Sequence, residues 1–255
     1  MVLHGGRDAE QWFRHQAARE PHVRLVCFPH AGGAASAYRD WGRLLPPGVD
    51  LLAVQYPGRQ NRMKEPCVEN MAELADRIAA ALTPYLGLPL AFFGHSMGSS
   101  VAYEVALRLE RCSGLVLDRL FVSGRPAPHR VPAGPPGPQD DPALVASVRR
   151  LGEQDAAAYD DPDLLPLLLP SLRADHRLIG TYRPEQPAPL SAPVTAIGGE
   201  SDPACPVEEL VGWAELTTAD GQQHTFPGGH FYLVDHREEL VSLIGAQLTS
   251  AAHCR

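Results

Sequence analysis

Residues 90–98, with the sequence LAFFGHSMG, constrain the fold of this chain more than any other segment. An apolar run typical of a buried strand leads into Gly-x-Ser-x-Gly, and a helical pattern follows at once. This order predicts a sharp turn between strand and helix that holds the hydroxyl of Ser96 at the edge of a sheet. Gly94 and Gly98 are expected to allow close approach of the backbone. Ser96 is therefore predicted to be a covalent nucleophile, although the five-residue motif alone also occurs by chance.

The composition fits a globular chain and excludes several classes of function. With 255 residues, 44% of them hydrophobic, one domain over 1–255 is expected. A formal net charge of -8 argues against binding to nucleic acid or anionic lipid. The five cysteines lack metal spacing, and no segment has the length of a membrane span or the pattern of a signal peptide. We therefore expect a cytoplasmic monomer with reduced thiols, no metal and no cofactor.

Apolar runs alternate with helical patterns along most of the chain. This alternation predicts a mostly parallel central sheet with helices on both faces. The predicted strands cover 23–28, 49–56, 90–95, 120–124, 193–199 and a segment near 224–226, and the predicted helices cover 71–86, 99–111 and 231–248.

The alternation is interrupted at 126–185. Residues 126–142 are rich in proline and glycine, and Asp141-Pro142 is typical of a helix start. A leucine-rich segment at 164–170 and a further helical stretch at 171–182 follow. We interpret 126–185 as a helical lid that lines an apolar acyl pocket. A small packed helical subdomain is the alternative.

A serine nucleophile needs a base, and the base needs a carboxylate that fixes its tautomer. His230 lies on a glycine-flanked loop after the last predicted strand, and Asp202 follows the strand at 193–199. Ser96, Asp202 and His230 occur in the chain order of the α/β-hydrolase triad. Glu200 and Asp220 remain alternative acids, and a structural turn is the alternative role for Asp202.

Three other histidines among the 11 in the chain are weaker candidates for the base. His224 is expected inside a strand, and His236 is expected within the last helix. His95 adjoins the nucleophile but is expected to support the turn or to line the site.

Two backbone N–H groups are predicted to form an oxyanion hole. One belongs to Met97, which follows the nucleophile, and the other to Ala31, in the glycine-rich turn after the strand at 23–28. That turn lacks the residues of a nucleotide-binding loop. The predicted reaction is acyl transfer through an acyl-serine that water then hydrolyses.

Four motifs together resemble those of type II thioesterases, the stand-alone editing enzymes of polyketide and nonribosomal peptide synthesis. They are FPHAGG at 28–33, QYPGRQNR at 55–62, FGHSMG at 93–98 and GGHF at 228–231, with LFVSGR at 120–125 in addition. The resemblance implies an α/β-hydrolase fold and the removal of stalled or wrongly primed acyl groups from the phosphopantetheine arm of acyl or peptidyl carrier proteins. It also implies the triad and oxyanion groups given above, with no cofactor other than the arm on the partner protein.

The resemblance leaves some alternatives open. A medium-chain fatty acyl-carrier thioesterase, a general acyl-CoA thioesterase or esterase, and a non-catalytic binding protein of the same fold all remain. Arg59 and Arg62 either order a loop, meet the acidic carrier or its phosphate, or are ordinary surface residues. Ser99 stands where the family usually has alanine, and the lid matches the family least.

Overall fold

A seven-stranded sheet in the order β1-β3-β2-β4-β5-β6-β7 forms the centre of the protein. The computed structural model describes residues 10–131, 140–152, 154–184 and 187–252. Only β1 is antiparallel to its neighbour, so the prediction of a mostly parallel sheet is confirmed. The strands are β1 Phe13–Gln16, β2 Val23–Phe28, β3 Val49–Val54, β4 Leu90–His95, β5 Arg119–Ser123, β6 Val194–Gly199 and β7 Gly221–Phe226.

The strand β1 was not predicted from the sequence. It has four residues, FRHQ, which pair with β3 in the register Phe13 opposite Val54. Only Phe13 is fully buried among them, so the segment has too little apolar pattern to be recognised as a strand. The strand predicted at 49–56 ends at Val54, before Pro57.

The helices are α1 Trp41–Leu44, α2 Met71–Leu82, α3 Met97–Ser113, α4 Asp141–Leu151, α5 Leu165–Thr181, α6 Tyr232–Asp235 and α7 Arg237–Ala252. The helix predicted to reach residue 86 ends at Leu82 and continues as a 3-10 turn, Thr83–Tyr85, where Pro84 lacks an N–H for an α-helical bond. The closing helix predicted at 231–248 is instead two helices separated at His236.

Both faces of the sheet are covered, as parallel sheets require. Phe92 and Phe93 are fully buried neighbours on β4 that point to opposite faces. Phe92 packs in a core with α2 and α3, whereas Phe93 packs in a second core with Trp41 and α7. The central strands are therefore held from both sides, which fixes the edge at which their carboxyl ends meet.

Between β5 and β6 lies a segment that we call the helical insertion, formed by α4, the 3-10 helix Gln154–Asp160 and α5. It has a small apolar cluster of its own, whereas Leu178 near the end of α5 packs in the core under the sheet. The N-cap of α4 is Asp140, whose carboxylate accepts the Ala143 N–H at 2.8 Å, one residue earlier than predicted.

The segments predicted separately at 164–170 and 171–182 form the single helix α5. Pro166 lies in its first turn, where no N–H donor is needed, and the helix continues through Pro170. Residues 132–139, 153 and 185 of the predicted lid lie outside the described residues.

Candidate active site

Ser96 occupies a strained turn between the end of β4 and the start of α3. Its backbone has φ 54° and ψ −120°, a region that side chains other than glycine rarely adopt. The Ser96 N–H donates to the carbonyl oxygen of Ser123 on β5 at 2.7 Å. Neighbouring strands therefore hold the turn in a conformation that it would not adopt alone.

The two glycines of the turn lie where no side chain fits. A Cβ at Gly94 would come within 2.3 Å of the Gly98 carbonyl oxygen, and one at Gly98 within 2.1 Å of the Phe28 carbonyl oxygen. Ser99, the departure from the family pattern, is buried and its hydroxyl lies 2.8 Å from the Gly94 carbonyl oxygen. The same hydroxyl accepts the Ser123 N–H at 3.0 Å, so serine here adds contacts between the turn and β5.

The structure brings Asp202 and His230 together at the same edge of the sheet. Nδ1 of His230 lies 2.8 Å from Oδ2 of Asp202, and both side chains are buried. The other carboxylate oxygen, Oδ1, accepts the Ala204 N–H at 2.8 Å, which fixes the orientation of the carboxylate. Of the alternative acids, Glu200 is exposed and Asp220 precedes β7, at the opposite edge of the sheet.

Ser96 and His230 line one cavity of about 190 Å³, together with the predicted oxyanion residues Ala31 and Met97. Neither the Ala31 nor the Met97 N–H donates a hydrogen bond within the described part of the chain. Both groups are thus available to a ligand oxygen. The opposite wall comes from the helical insertion and includes Val148, Leu151, His176 and Ile179.

Arg59 is buried, so its interpretation as an ordinary surface residue is wrong. Its guanidinium makes two hydrogen bonds to Asp175 of α5, at 2.7 and 2.8 Å, and a third to the Gly33 carbonyl oxygen at 2.9 Å. Asp175 also accepts the Gly32 N–H at 2.8 Å. This pair therefore orders the loop that carries Ala31 and attaches it to the helical insertion.

Arg62 is buried as well and orders the loop after β3. It donates to both carboxylate oxygens of Glu65, at 2.8 and 2.6 Å, and to the Gln55 carbonyl oxygen at 2.8 Å. Its guanidinium carbon lies 4.1 Å from the ring centroid of Trp12, within the range of a cation–π contact. Both guanidinium groups are therefore engaged within the chain, which supports the interpretation that these arginines order loops.

His95 supports the site from behind, in agreement with the sequence analysis. Its Nδ1 lies 2.9 Å from Oγ of Ser123, which lies 2.6 Å from the hydroxyl of Tyr232. The His95 and His230 rings are 4.9 Å apart between centroids. Burial, followed by the neighbouring His230, lowers the pKa of His95 well below its usual value, so His95 remains neutral at neutral pH.

The other histidines occupy less central places. His224 lies in β7 as predicted, whereas His236 caps the end of α6 and contacts Glu239 at 2.6 Å rather than lying within a helix. His30, which the sequence analysis did not assign a role, packs against Phe231 with 4.9 Å between ring centroids and lines the cavity beside Ser96. In the sequence, the position of His30 in the FPHAGG motif was the one indication that it belongs to the site.

Within the described residues, no group of histidine, cysteine, aspartate or glutamate side chains is arranged to hold a metal ion. In the same part of the chain, no helix combines the length and apolarity needed to cross a membrane.

A strained serine between a parallel strand and a helix, with an aspartate–histidine pair on the loops after later strands, defines the α/β-hydrolase class. Residues 23–248 match the family model described as "Thioesterase domain", and the chain belongs to this family. The predicted fold and the predicted resemblance to type II thioesterases are confirmed, and the protein is a hydrolase of the thioesterase family.

Individual relatives match over most of the chain. This chain is 42% identical over 243 residues to "Thioesterase PikA5" of Streptomyces venezuelae, and the alignment covers 94% of this chain and 86% of that protein. It is 39% identical over 246 residues to "Probable cadicidin biosynthesis thioesterase" of Streptomyces griseus, covering 96% and 67%. The solved structure of "the type II thioesterase BorB from the borrelidin biosynthetic cluster" superposes with a TM-score of 0.85 at 39% identity, covering 93% of this chain and 97% of that one.

Proposed function

We propose that the protein hydrolyses acyl groups from the phosphopantetheine arm of acyl or peptidyl carrier proteins, and so removes stalled or wrongly primed units. The observation that carries the proposal is the buried contact of 2.8 Å between Asp202 and His230, beside a cavity that His230 shares with Ser96. That arrangement fits nucleophilic catalysis by serine. Membership of the thioesterase family supports a thioester as the bond that is cleaved.

In the first half of the reaction, His230 takes the hydroxyl proton of Ser96 while the serine oxygen attacks the thioester carbonyl carbon. Asp202 holds the Nδ1–H of His230 and stabilises the imidazolium. The Ala31 and Met97 N–H groups donate to the carbonyl oxygen as it becomes negative, and each such donor is worth about 3 kcal/mol in the transition state. The C–S bond then breaks, and the thiol leaves with the proton from His230.

In the second half, water attacks the acyl-serine with His230 as the general base. The ester bond to Ser96 breaks, the serine oxygen recovers its proton from His230, and the carboxylic acid is released. Asp202 keeps the same hydrogen bond throughout. All proton transfers therefore pass through His230, whose side chain lies between Asp202 and the cavity.

The cavity beside Ser96 has a volume of about 190 Å³ and is lined in part by apolar side chains, which fits the acyl group of a thioester. The similarity to PikA5 and to BorB, a type II thioesterase from the borrelidin biosynthetic cluster, supports a carrier-bound substrate. Because Val148, Leu151 and Ile179 line the same cavity, we propose that the helical insertion acts as the lid of the acyl site.

The test is single-turnover hydrolysis of an acetyl or propionyl group, offered on a holo carrier protein and separately on coenzyme A. Ser96→Ala serves as the blank, and labelling of the native enzyme by a fluorophosphonate probe reports on the serine directly. Faster release from the carrier supports the proposal. Equal or faster release from coenzyme A would leave a general acyl-CoA thioesterase. Absence of both turnover and labelling would contradict catalysis by Ser96.

A further inference from the structure

The side-chain hydroxyl of Ser123 lies at the centre of a buried hydrogen-bond network behind the proposed active site. Its Oγ is 2.9 Å from Nδ1 of His95 and 2.6 Å from the hydroxyl oxygen of Tyr232. All three residues are buried. They come from the end of β4, the end of β5 and the start of α6, so the network joins three segments that are far apart in the chain.

The backbone of Ser123 holds the turn that carries the nucleophile. Its carbonyl oxygen accepts the Ser96 N–H at 2.7 Å and the Ser99 hydroxyl at 3.0 Å. The Ser123 N–H in turn donates to the Ser99 hydroxyl oxygen at 3.0 Å. His95 directly precedes the nucleophile, so the Ser123 hydroxyl contacts the same turn a second time. One residue of β5 therefore fixes both the main chain of the turn and the side chain behind it.

Tyr232 connects the same hydroxyl to the loop of the proposed base. It follows His230 by two positions, and its N–H donates to the Gly229 carbonyl oxygen at 3.2 Å. Its ring stacks on Phe226 of β7, with 5.5 Å between ring centroids and an angle of 9° between the ring planes. Packing therefore holds the ring, and the phenolic hydroxyl reaches the end of β5.

The donors and acceptors of the network determine where its protons lie. Burial raises the pKa of Tyr232 above its usual value, so the phenol stays protonated and needs an acceptor. Among the described residues that acceptor is Oγ of Ser123, which then donates its own proton to Nδ1 of His95. The neutral His95 ring thus carries its proton on Nε2, an atom without a hydrogen-bond partner in the described part of the chain. The opposite direction would leave the Tyr232 proton without an acceptor as well.

The His95 ring, held in this way, is a surface against which the His230 ring packs. The two centroids are 4.9 Å apart, and the ring planes meet at 42°. The contact of 2.8 Å between Nδ1 of His230 and Asp202 fixes one end of the imidazole. The His95 ring opposes a tilt about that end. A displacement of about 1 Å between reacting groups can lower a rate about 100-fold, so such a support bears directly on turnover.

We propose that the Ser123 hydroxyl is a positioning group, which sets the place of His230 relative to Ser96. It acts through two hydrogen bonds, one accepted from Tyr232 and one donated to His95. The inference rests on the proposed function, because it takes Ser96 and His230 as the reacting groups. It gives the serine of the LFVSGR motif a role separate from the triad and the oxyanion hole. Because Ser123 acts through other residues, its loss should lower kcat and leave KM nearly unchanged.

The experiment is a double-mutant cycle of Ser123→Ala and Tyr232→Phe, measured by steady-state hydrolysis of propionyl-coenzyme A. Ser123→Ala should lower kcat about 10- to 100-fold, with KM within about threefold of the native value. Tyr232→Phe removes one of the two hydrogen bonds and should lower kcat less. The double variant should be no slower than Ser123→Ala, because both substitutions break the same connection. Labelling by a fluorophosphonate probe should slow in parallel, since it needs the same serine and base but no thioester.

Tyr103→Phe is the matched control. It removes another buried tyrosine hydroxyl, which donates to the Ala188 carbonyl oxygen away from the cavity, and should leave kcat unchanged. If alanine at position 123 destabilises the protein, Ser123→Cys keeps the size and a weak donor, and an intermediate kcat is expected.

Three results would overturn the inference: an unchanged kcat in Ser123→Ala, losses that multiply in the double variant, or a change confined to KM. A native enzyme that is labelled but hydrolyses no thioester would overturn the proposed function instead. The labelling rates of the variants would then still decide whether Ser123 positions the base. Absence of labelling in the native enzyme would overturn both.

Discussion

Leu25 on β2 and Leu172 on α5 are both fully buried, but they belong to apolar cores of different size. Leu25 belongs to a core that spans several strands and α7, whereas Leu172 belongs to the small cluster within the helical insertion. The turn at Ser96 and the loops of Asp202 and His230 all start from the sheet. The helical insertion contributes the facing wall of the cavity. This difference indicates that the groups proposed to react are supported by the large core of the sheet, whereas the wall proposed to contact the acyl chain is supported by a smaller apolar cluster.

A buried ion pair is one of the contacts that join the two regions. Asp175 of α5 binds Arg59 and also accepts the Gly32 N–H, next to the predicted oxyanion residue Ala31. The wall of the cavity and the loop of the proposed oxyanion hole are therefore attached to the same carboxylate. Four experiments test how independent the two regions are.

The largest effect is expected from Asp202→Asn on the sheet side. An amide favours the wrong tautomer of His230 and does not stabilise the imidazolium, and the analogous change in a serine protease lowers kcat about 10⁴-fold. Stopped-flow or steady-state hydrolysis on two acyl groups of different length should show the same loss on both. A loss that depends strongly on the acyl group would contradict the separation between reacting groups and cavity wall.

Arg59→Met is expected to have the next largest effect, because it leaves the Asp175 carboxylate buried beside one N–H donor. Removing one partner of a buried ion pair typically costs about 3 to 5 kcal/mol of stability. The double variant Arg59→Met with Asp175→Asn removes both charges and should recover much of the loss in denaturant unfolding. If the double variant is no more stable than Arg59→Met, the pair does not stabilise the attachment of the two regions.

Leu25→Ala and Leu172→Ala form a matched pair, since both remove the same atoms from fully buried positions. Leu25→Ala should lower the free energy of global unfolding by about 2 to 5 kcal/mol. Leu172→Ala should lower it less and should instead speed amide hydrogen exchange within 141–181, because the insertion opens locally. Equal global losses, with no local change in exchange, would show that the insertion unfolds only together with the sheet.

The smallest effect is expected from Arg62→Lys. Lysine keeps the charge beside Glu65 but loses the two-pronged contact and the stacking on Trp12. We expect a loss of about 1 kcal/mol in thermal unfolding, with kcat and KM unchanged, since Arg62 contacts neither the cavity nor the insertion. A marked change in KM would indicate that this loop takes part in substrate binding after all.

The sequence predicted the parts of the fold whose patterns are local. The strand, turn and helix around Ser96 follow from apolar periodicity and two glycines, and the structure shows that a Cβ at either glycine would collide with backbone. The order of Ser96, Asp202 and His230 also followed from their positions after predicted strands. Features of this kind can be predicted from the sequence because each depends on residues that are close to it along the chain.

Features that depend on distant partners were not predicted. The role of Asp175 depends on Arg59, which is 116 positions away, and the spacing of residues around either one does not indicate the pairing. The short strand β1 forms because β3 offers it a free edge, and its own pattern is weak.

The strand order has a consequence for the order in which the proposed catalytic groups are synthesised and brought together. The strands β1 to β4 and the turn at Ser96 are complete within the first 98 residues, whereas Asp202 and His230 belong to loops beside the last two strands. A chain that leaves the ribosome from its N-terminus therefore exposes the serine long before the histidine has been synthesised. With His230 as the proposed base, we expect the growing chain to lack thioesterase activity until β7 has paired with β6.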